Sequence, residues 1–124
     1  MSAYTYDFSE QLTRHIVADL EEVKAIDITI LDVRPLTGIT DFMIVATGGS
    51  KRHTRALAEK VVFAAKRMGH PPLGVEGKEH GEWILVDLCD VVVHIMIAEA
   101  RDLYQLERLW RNAGYAALPN HRTR

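Results

Sequence analysis

Cysteine is almost missing from this sequence: Cys89 is the single one in 124 residues. One thiol excludes an internal disulfide and any zinc cluster built on thiolates, and it suits a reducing cytoplasm. Long apolar runs are missing as well. None approaches the ~20 residues of a membrane span. The opening MSAYTYDFSEQ has neither the basic end nor the apolar stretch of a leader. The expectation is a cytoplasmic protein with no membrane partner. A surplus of positive charge is also lacking, with 15 Lys and Arg against 17 Asp and Glu and a net charge of −2. Chains that grip nucleic acid through phosphates carry such a surplus, so DNA is excluded as the main ligand and RNA contact is at most peripheral. A mildly acidic chain suits a basic protein surface better. No repeat, low-complexity tract or Pro/Ser linker divides the sequence. At this length it implies one domain, placed at residues 1–114, with residues 115–124 as a disordered tail.

What is present is ordinary for a folded domain: 48% apolar and 26% charged residues. FSEQLTRHIVADLEEVKA predicts a helix capped by Ser9, with Leu12, Ile16, Leu20 and Val23 as its apolar stripe. AIDITILDV alternates as a strand, with Ile26, Ile28 and Ile30 on one face. RPLTGIT is a turn and DFMIVATG a second strand. SKRHTRALAEKVVFAAKRMG predicts a second helix with a stripe of Leu57, Val61, Ala64, Ala65 and Met68, closed by Gly69 in a left-handed conformation. HPPLGVEGKEHGE holds at most a short edge strand near LGVEG, because two prolines precede it. WILVDL and VVVHIMI pair through a tight turn at Leu88-Cys89, and AEARDLYQLERLWRNAG is a last helix with Leu103, Leu106 and Trp110 along one side. The order α-β-β-α-β-β-β-α predicts an α/β fold: a two-layer sandwich with a mixed sheet of four or five strands.

The final hairpin has two unlike faces. A loop at Leu88-Cys89 pairs Asp87 with Asp90, Leu85 with Val92 and Trp83 with His94. Ile84, Val86, Leu88, Val91, Val93, Ile95 and Ile97 then share an aliphatic face that must lie under helices. Trp83, Leu85, Asp87, Asp90, Val92, His94 and Met96 share the other. Two readings of this mixed face stand. Either the last helix covers it, or it is a surface for a protein partner, where aromatics and Met are enriched. Cys89 is out of place in either reading, because a two-residue loop favours Gly at a position of positive φ.

No reactive constellation emerges. Gly48-Gly49-Ser50 follows an apolar strand and precedes a helix, as phosphate loops do, but neither GxxxxGK[ST] nor GxGxxG is present. The loop also resembles that of nucleotidyltransferase-fold enzymes, which need two or three carboxylates nearby to hold metal ions. KRHTRALAEKVV offers only Glu59. A sharp turn with Ser50 as helix cap is the simpler account. Asp87 and Asp90 are residues that flank tight turns. Glu76, Glu79, His80, Glu82 and His70 lie in a loop without the rigid spacing of a metal site. Cys89 sits beside two acids, which raise a thiol pKa rather than lower it. His94, lone on an apolar strand, is more often a packing residue than a catalyst. The sequence therefore predicts a binding module with no catalytic residue, cofactor or metal. The alternative is a nucleotide-binding enzyme using Gly48-Gly49-Ser50. A weaker one is RNA contact through Lys51, Arg52, His53 and Arg55.

Three blocks carry a resemblance: ITDFMIVATGGSKRH; PLGVEG followed by WILVDL and, after Asp90, VVVHIM; and AEARDLYQLERLW. Together, from about Ala25 to Trp110, they resemble the ribosomal silencing factor, or Iojap-like, family. The resemblance implies a nucleotidyltransferase-like fold without catalytic carboxylates. It implies binding to the large ribosomal subunit through its ribosomal protein fourteen, steric blockage of subunit joining, and lowered translation when nutrients are short. A part in large-subunit biogenesis and a homodimer are further implications. Partner contact carries over to Trp83, Asp87, Asp90, His94 and Met96 of the hairpin, and to Glu99, Arg101, Tyr104, Leu106 and Trp110 of the last segment. Ser50, Arg52 and His53 lie in the family's matching loop. Two departures stand out. Cys89 replaces the usual Gly of the turn, and Ala98 replaces the first of two consecutive acids.

Overall fold

The computed structural model describes residues 2–108, with side chains from residue 8 onward. In chain order the elements are α1 (Ser2–Glu22), β1 (Ile26–Asp32), β2 (Phe42–Gly48), α2 (Lys51–Arg67), β3 (Gly74–Glu76), β4 (Trp83–Asp87), β5 (Val91–Ile97) and α3 (Ala98–Tyr104). The five strands form one mixed sheet in the order β1-β2-β5-β4-β3. β2 and β5 run parallel and every other pair is antiparallel. A parallel pair needs a long crossover. Here α2, β3 and β4 provide it.

α1 and α2 cover one sheet face. Leu12, Ile16 and Leu20 from α1 and Leu57, Val61 and Ala65 from α2 meet Ile44, Ile84, Val93 and Ile95 in a continuous core. The stripe of α1 extends upstream to Phe8, which packs on the core and touches the His70 ring edge-on at 5.2 Å. The helix therefore starts before Ser9. Rather than capping, Ser9 is buried inside α1, and the Thr13 hydroxyl donates to its carbonyl at 2.8 Å. Ile28 and Ile30 face the core as expected, but Ile26 is largely exposed. A bulge between Ile26 and Thr29, with Asp27 at φ 51°, takes Ile26 out of the alternation.

The glycine pair has a structural job. A Cβ on Gly48 would lie 2.7 Å from Thr54 Cγ2 and 3.0 Å from the Thr54 nitrogen, so only glycine lets the end of β2 meet the first turn of α2 this closely. Ser50 is the N-cap, accepting from the His53 N–H at 3.0 Å. His53 reaches back: its Nδ1 accepts from the Gly49 N–H at 2.8 Å, which leaves Nε2 to donate to the Val23 carbonyl at 2.6 Å. One imidazole thereby ties the end of α1 to the start of α2. At the other end Gly69, at φ 74°, closes α2 with a Schellman pair, His70 N–H to Ala65 carbonyl and Gly69 N–H to Lys66 carbonyl.

The hairpin register differs from the expected one by two residues. Asp87 pairs with Val92, Leu85 with His94 and Trp83 with Met96. The loop is Cys89-Asp90: Leu88 N–H donates to the Val91 carbonyl and Asp90 N–H to the Leu88 carbonyl, both at 2.9 Å. This tight turn sets Cys89 at φ 74°, the value that favours glycine. A shift of two leaves parity intact, so Ile84, Val86, Val91, Val93 and Ile95 still reach the helix-covered core. Ile97 does not. It packs on the other face because the chain turns there into α3.

The last helix is shorter than expected. α3 stops at Tyr104, Gln105 takes a left-handed conformation at φ 51°, and the chain is helical again over 106–108. Leu103 accordingly points outward while Leu106 returns to the sheet. The remainder of the expected helix and the tail at 115–124 lie outside the described residues.

Candidate functional site

The second sheet face is where the candidate residues gather. Leu31, Val33, Met43, Val45, Met96 and Ala100 form a separate apolar cluster there, with Trp83, Ile97 and Leu106 packed against it. α3 roofs the β2–β5 part of this face. Toward β4 the roof stops, and Trp83, Leu85, Asp87 and Val92 are left half-buried. The face is therefore covered core under α3 and open, largely apolar surface toward β4.

Trp83 is the centre of the open part. It begins β4, and the register places His94 diagonally across from it on β5. The indole Nε1–H donates to His94 Nδ1 at 3.0 Å. Because Nδ1 accepts, the imidazole proton is on Nε2 and the ring is neutral. Burial pushes the His94 pKa down to about 4. On its other side Trp83 meets Tyr104 of α3, ring centroids 4.7 Å apart and tilted by 44°. Tyr104 is 53% exposed. The result is an aromatic pair at the roof's edge, anchored from below by one hydrogen bond.

The expected contact residues divide by accessibility. Met96 is fully buried and His94 is 5% exposed, so neither offers a side chain to a partner. Asp87 and Asp90 frame the turn: Asp87 Oδ1 accepts from the Cys89 N–H at 2.9 Å, and the Asp90 carbonyl accepts from Asp41 and Phe42. Glu99 is exposed in the first turn of α3. Leu106 is half-buried against the second cluster. Trp110 lies outside the described residues.

Arg101 points inward. Its guanidinium donates to Thr47 Oγ1 at 2.9 Å, Thr29 Oγ1 at 3.0 Å and the Asp27 carbonyl, and it forms an ion pair with Glu107 at 2.7 Å. This side chain fastens α3 to β1 and β2. Glu107 reaches it only because the helix breaks at Gln105, since residues six apart in a continuous helix lie roughly 120° apart around the axis. The other Glu107 oxygen, Oε1, is buried without a hydrogen-bond partner among the described residues. Thr29, Thr47 and Glu107 are not among the residues expected from the sequence. The available signal was hydroxyls interrupting two apolar strands, on the face opposite the main core.

The basic side chains Lys51, His53 and Arg55 near the glycine loop are engaged by the chain itself. Arg55 donates to the Lys78 and Glu79 carbonyls at 2.9 and 2.7 Å, His53 holds Val23, and Lys51 lies 3.6 Å from Glu82. Among the described residues no group of three His, Cys, Asp or Glu could hold a metal ion. None of the described helices is long and apolar enough to cross a membrane.

Comparison with known proteins agrees with this architecture. The family described as "Ribosomal silencing factor during starvation" matches residues 6–124. The "Ribosomal silencing factor RsfS" of Chromobacterium violaceum is 45% identical over 101 residues, covering 82% of this chain and 83% of that protein. A mouse relative named "Mitochondrial assembly of ribosomal large subunit protein 1" is 34% identical over 98 residues, covering 77% of this chain and 43% of that protein. A crystal structure of a Chromobacterium violaceum protein superposes with a TM-score of 0.81 at 44% identity, covering 82% of this chain and 85% of its own. The chain belongs to the ribosomal silencing factor family.

Proposed function

We propose that this protein represses translation by binding the large ribosomal subunit through its ribosomal protein fourteen and sterically blocking the small subunit from joining. It acts in the cytoplasm by occupying a surface, not by catalysis, and it lowers translation when nutrients are limiting. A part in large-subunit assembly is consistent with the name of the mouse relative.

The observation that carries the reading is the Trp83–Tyr104 pair. A half-buried Trp83 against an exposed Tyr104, beside half-buried Leu85 and Val92, has the make-up of a protein-interface centre. Glu99 and Asp102 lie on α3 with Tyr104, Asp87 and Asp90 lie at the far end of the same hairpin, and Arg101, the cation of α3, is turned inward. Such a patch suits a basic protein surface.

Sedimentation tests it. Added protein is expected to move with the large subunit in a sucrose gradient and to reduce the joined-ribosome peak when separated subunits are mixed. Trp83→Ala is expected to weaken large-subunit binding by about 2 kcal/mol or more, the usual size for a central aromatic anchor. An undiminished joined peak at saturating protein rejects the blocking mechanism, and unchanged co-sedimentation of a folded Trp83→Ala rejects this surface.

A further inference from the structure

We infer that His94 is a positioning residue for the partner surface: it touches no partner, and through its Nδ1 it fixes the orientation in which Trp83 is presented. The inference rests on the reading of the Trp83 face as the contact surface.

His94 is 5% exposed and sits among apolar side chains on β5. A buried imidazole there loses hydration that an aliphatic residue would not. Its recovered interaction is the 3.0 Å bond from Trp83 Nε1–H. In stability terms such a pair is close to neutral, because replacing both partners by apolar groups of similar shape costs little. What an aliphatic residue cannot do is aim the indole. Trp83 opens β4 at the edge of the α3 roof and is only half-buried, so packing alone leaves its side-chain torsions a choice. Accepting at Nδ1 selects the rotamer that directs Nε1 inward, and Tyr104 stacks on the ring held this way. A surface fixed before binding avoids the cost of ordering a rotamer-rich side chain at the interface.

The test compares His94→Leu, His94→Asn and Trp83→Phe with the full-length protein. Asn places a carbonyl oxygen close to where Nδ1 stands, so it restores the acceptor without the ring. Leu removes it at similar volume. In the free protein the Trp83 indole N–H is followed by ¹⁵N NMR and its exchange with solvent. Binding is measured by titrating isolated large subunits. The expected result is that His94→Leu folds with its melting temperature kept, exchanges the Trp83 indole proton at least about tenfold faster, and binds about tenfold more weakly, the size of one net hydrogen bond. His94→Asn is expected to recover most of both. Trp83→Phe, which keeps a ring but has no donor, is expected to bind as weakly as His94→Leu.

Equal protection of the indole proton in His94→Leu overturns the inference, and so does unchanged binding once the indole is freed. Should His94→Leu fail to fold, His94→Asn and Trp83→Phe decide alone: weak binding by the first, or full binding by the second, overturns it. Wild-type binding by Trp83→Ala rejects the surface itself and this role with it. Because indole protection is read without the ribosome, the two failures are distinguishable.

Discussion

His94 shows how a single residue carries information that its neighbours do not. Its ordinary pKa is 6.5, and burial lowers it to about 4 in the fold. A base whose pKa is depressed on folding is protonated more readily in the unfolded chain. Its contribution to stability is therefore whole above pH 6.5 and is lost as pH falls from 6.5 through 4. The 2.5-unit interval between the two values corresponds to a loss of about 3 kcal/mol. Protonation also removes the Nδ1 acceptor, so the Trp83 bond is lost together with the neutral ring. Melting temperatures recorded from pH 7 to pH 4 are expected to fall more steeply for the wild type than for His94→Leu. Parallel curves would mean that His94 is not held neutral by the fold. The sequence singled out His94 as an odd residue on an apolar strand. It set Trp83 directly opposite His94, whereas the two lie diagonally apart, because the loop is Cys89-Asp90 and not Leu88-Cys89.

Elements were legible in proportion to how local their causes are. The stripes at Leu12, Ile16, Leu20 and at Leu57, Val61, Ala65 are read from helical spacing alone, and both pack as read. So does the cap at Ser50 and the stop at Gly69. α3 was not legible. What shapes it is Arg101, whose partners Thr47 and Thr29 lie 54 and 72 residues away. Distant ties of that kind leave no periodic trace. The β2–α2 junction lies between these cases. Gly48-Gly49 looks like one motif, yet the two glycines differ: a Cβ on Gly48 would enter Thr54, while one on Gly49 would meet nothing nearer than His53 Nδ1 at 3.7 Å. Gly48→Ala is expected to destabilise by about 1–3 kcal/mol, as overpacking does. Gly49→Ala should stay within about 0.5 kcal/mol of wild type. Denaturant titration of the two variants measures this directly. Equal losses would mean that the pair acts together as a loop, as a phosphate cradle would require.

At the scale of the whole molecule, the sheet separates support from recognition. One face is sealed by α1 and α2 and contributes stability; the other is half-roofed by α3 and holds the aromatic pair. Charge follows the same division. Arg55 and Lys51 are tied to the protein's own carbonyls and to Glu82, whereas Asp90 and Glu99 border the open face without any hydrogen bond or ion pair from their side chains among the described residues. A basic partner approaching this face is attracted at long range, and acids at the rim of an interface act on the rate of association more than on the final complex. The double variant Asp90→Asn, Glu99→Gln is therefore expected to associate with the large subunit several-fold more slowly at low salt. It should dissociate at nearly the wild-type rate, converge with wild type as salt approaches ~0.5 M, where screening lengths fall to a few ångströms, and leave the melting temperature unchanged. Stopped-flow association at two ionic strengths measures it. The opposite variant, Lys51→Gln with Arg52→Gln, should alter neither rate. Slower association by that second variant would place an anionic partner at the glycine loop and move the recognition surface to the α2 side of the sheet.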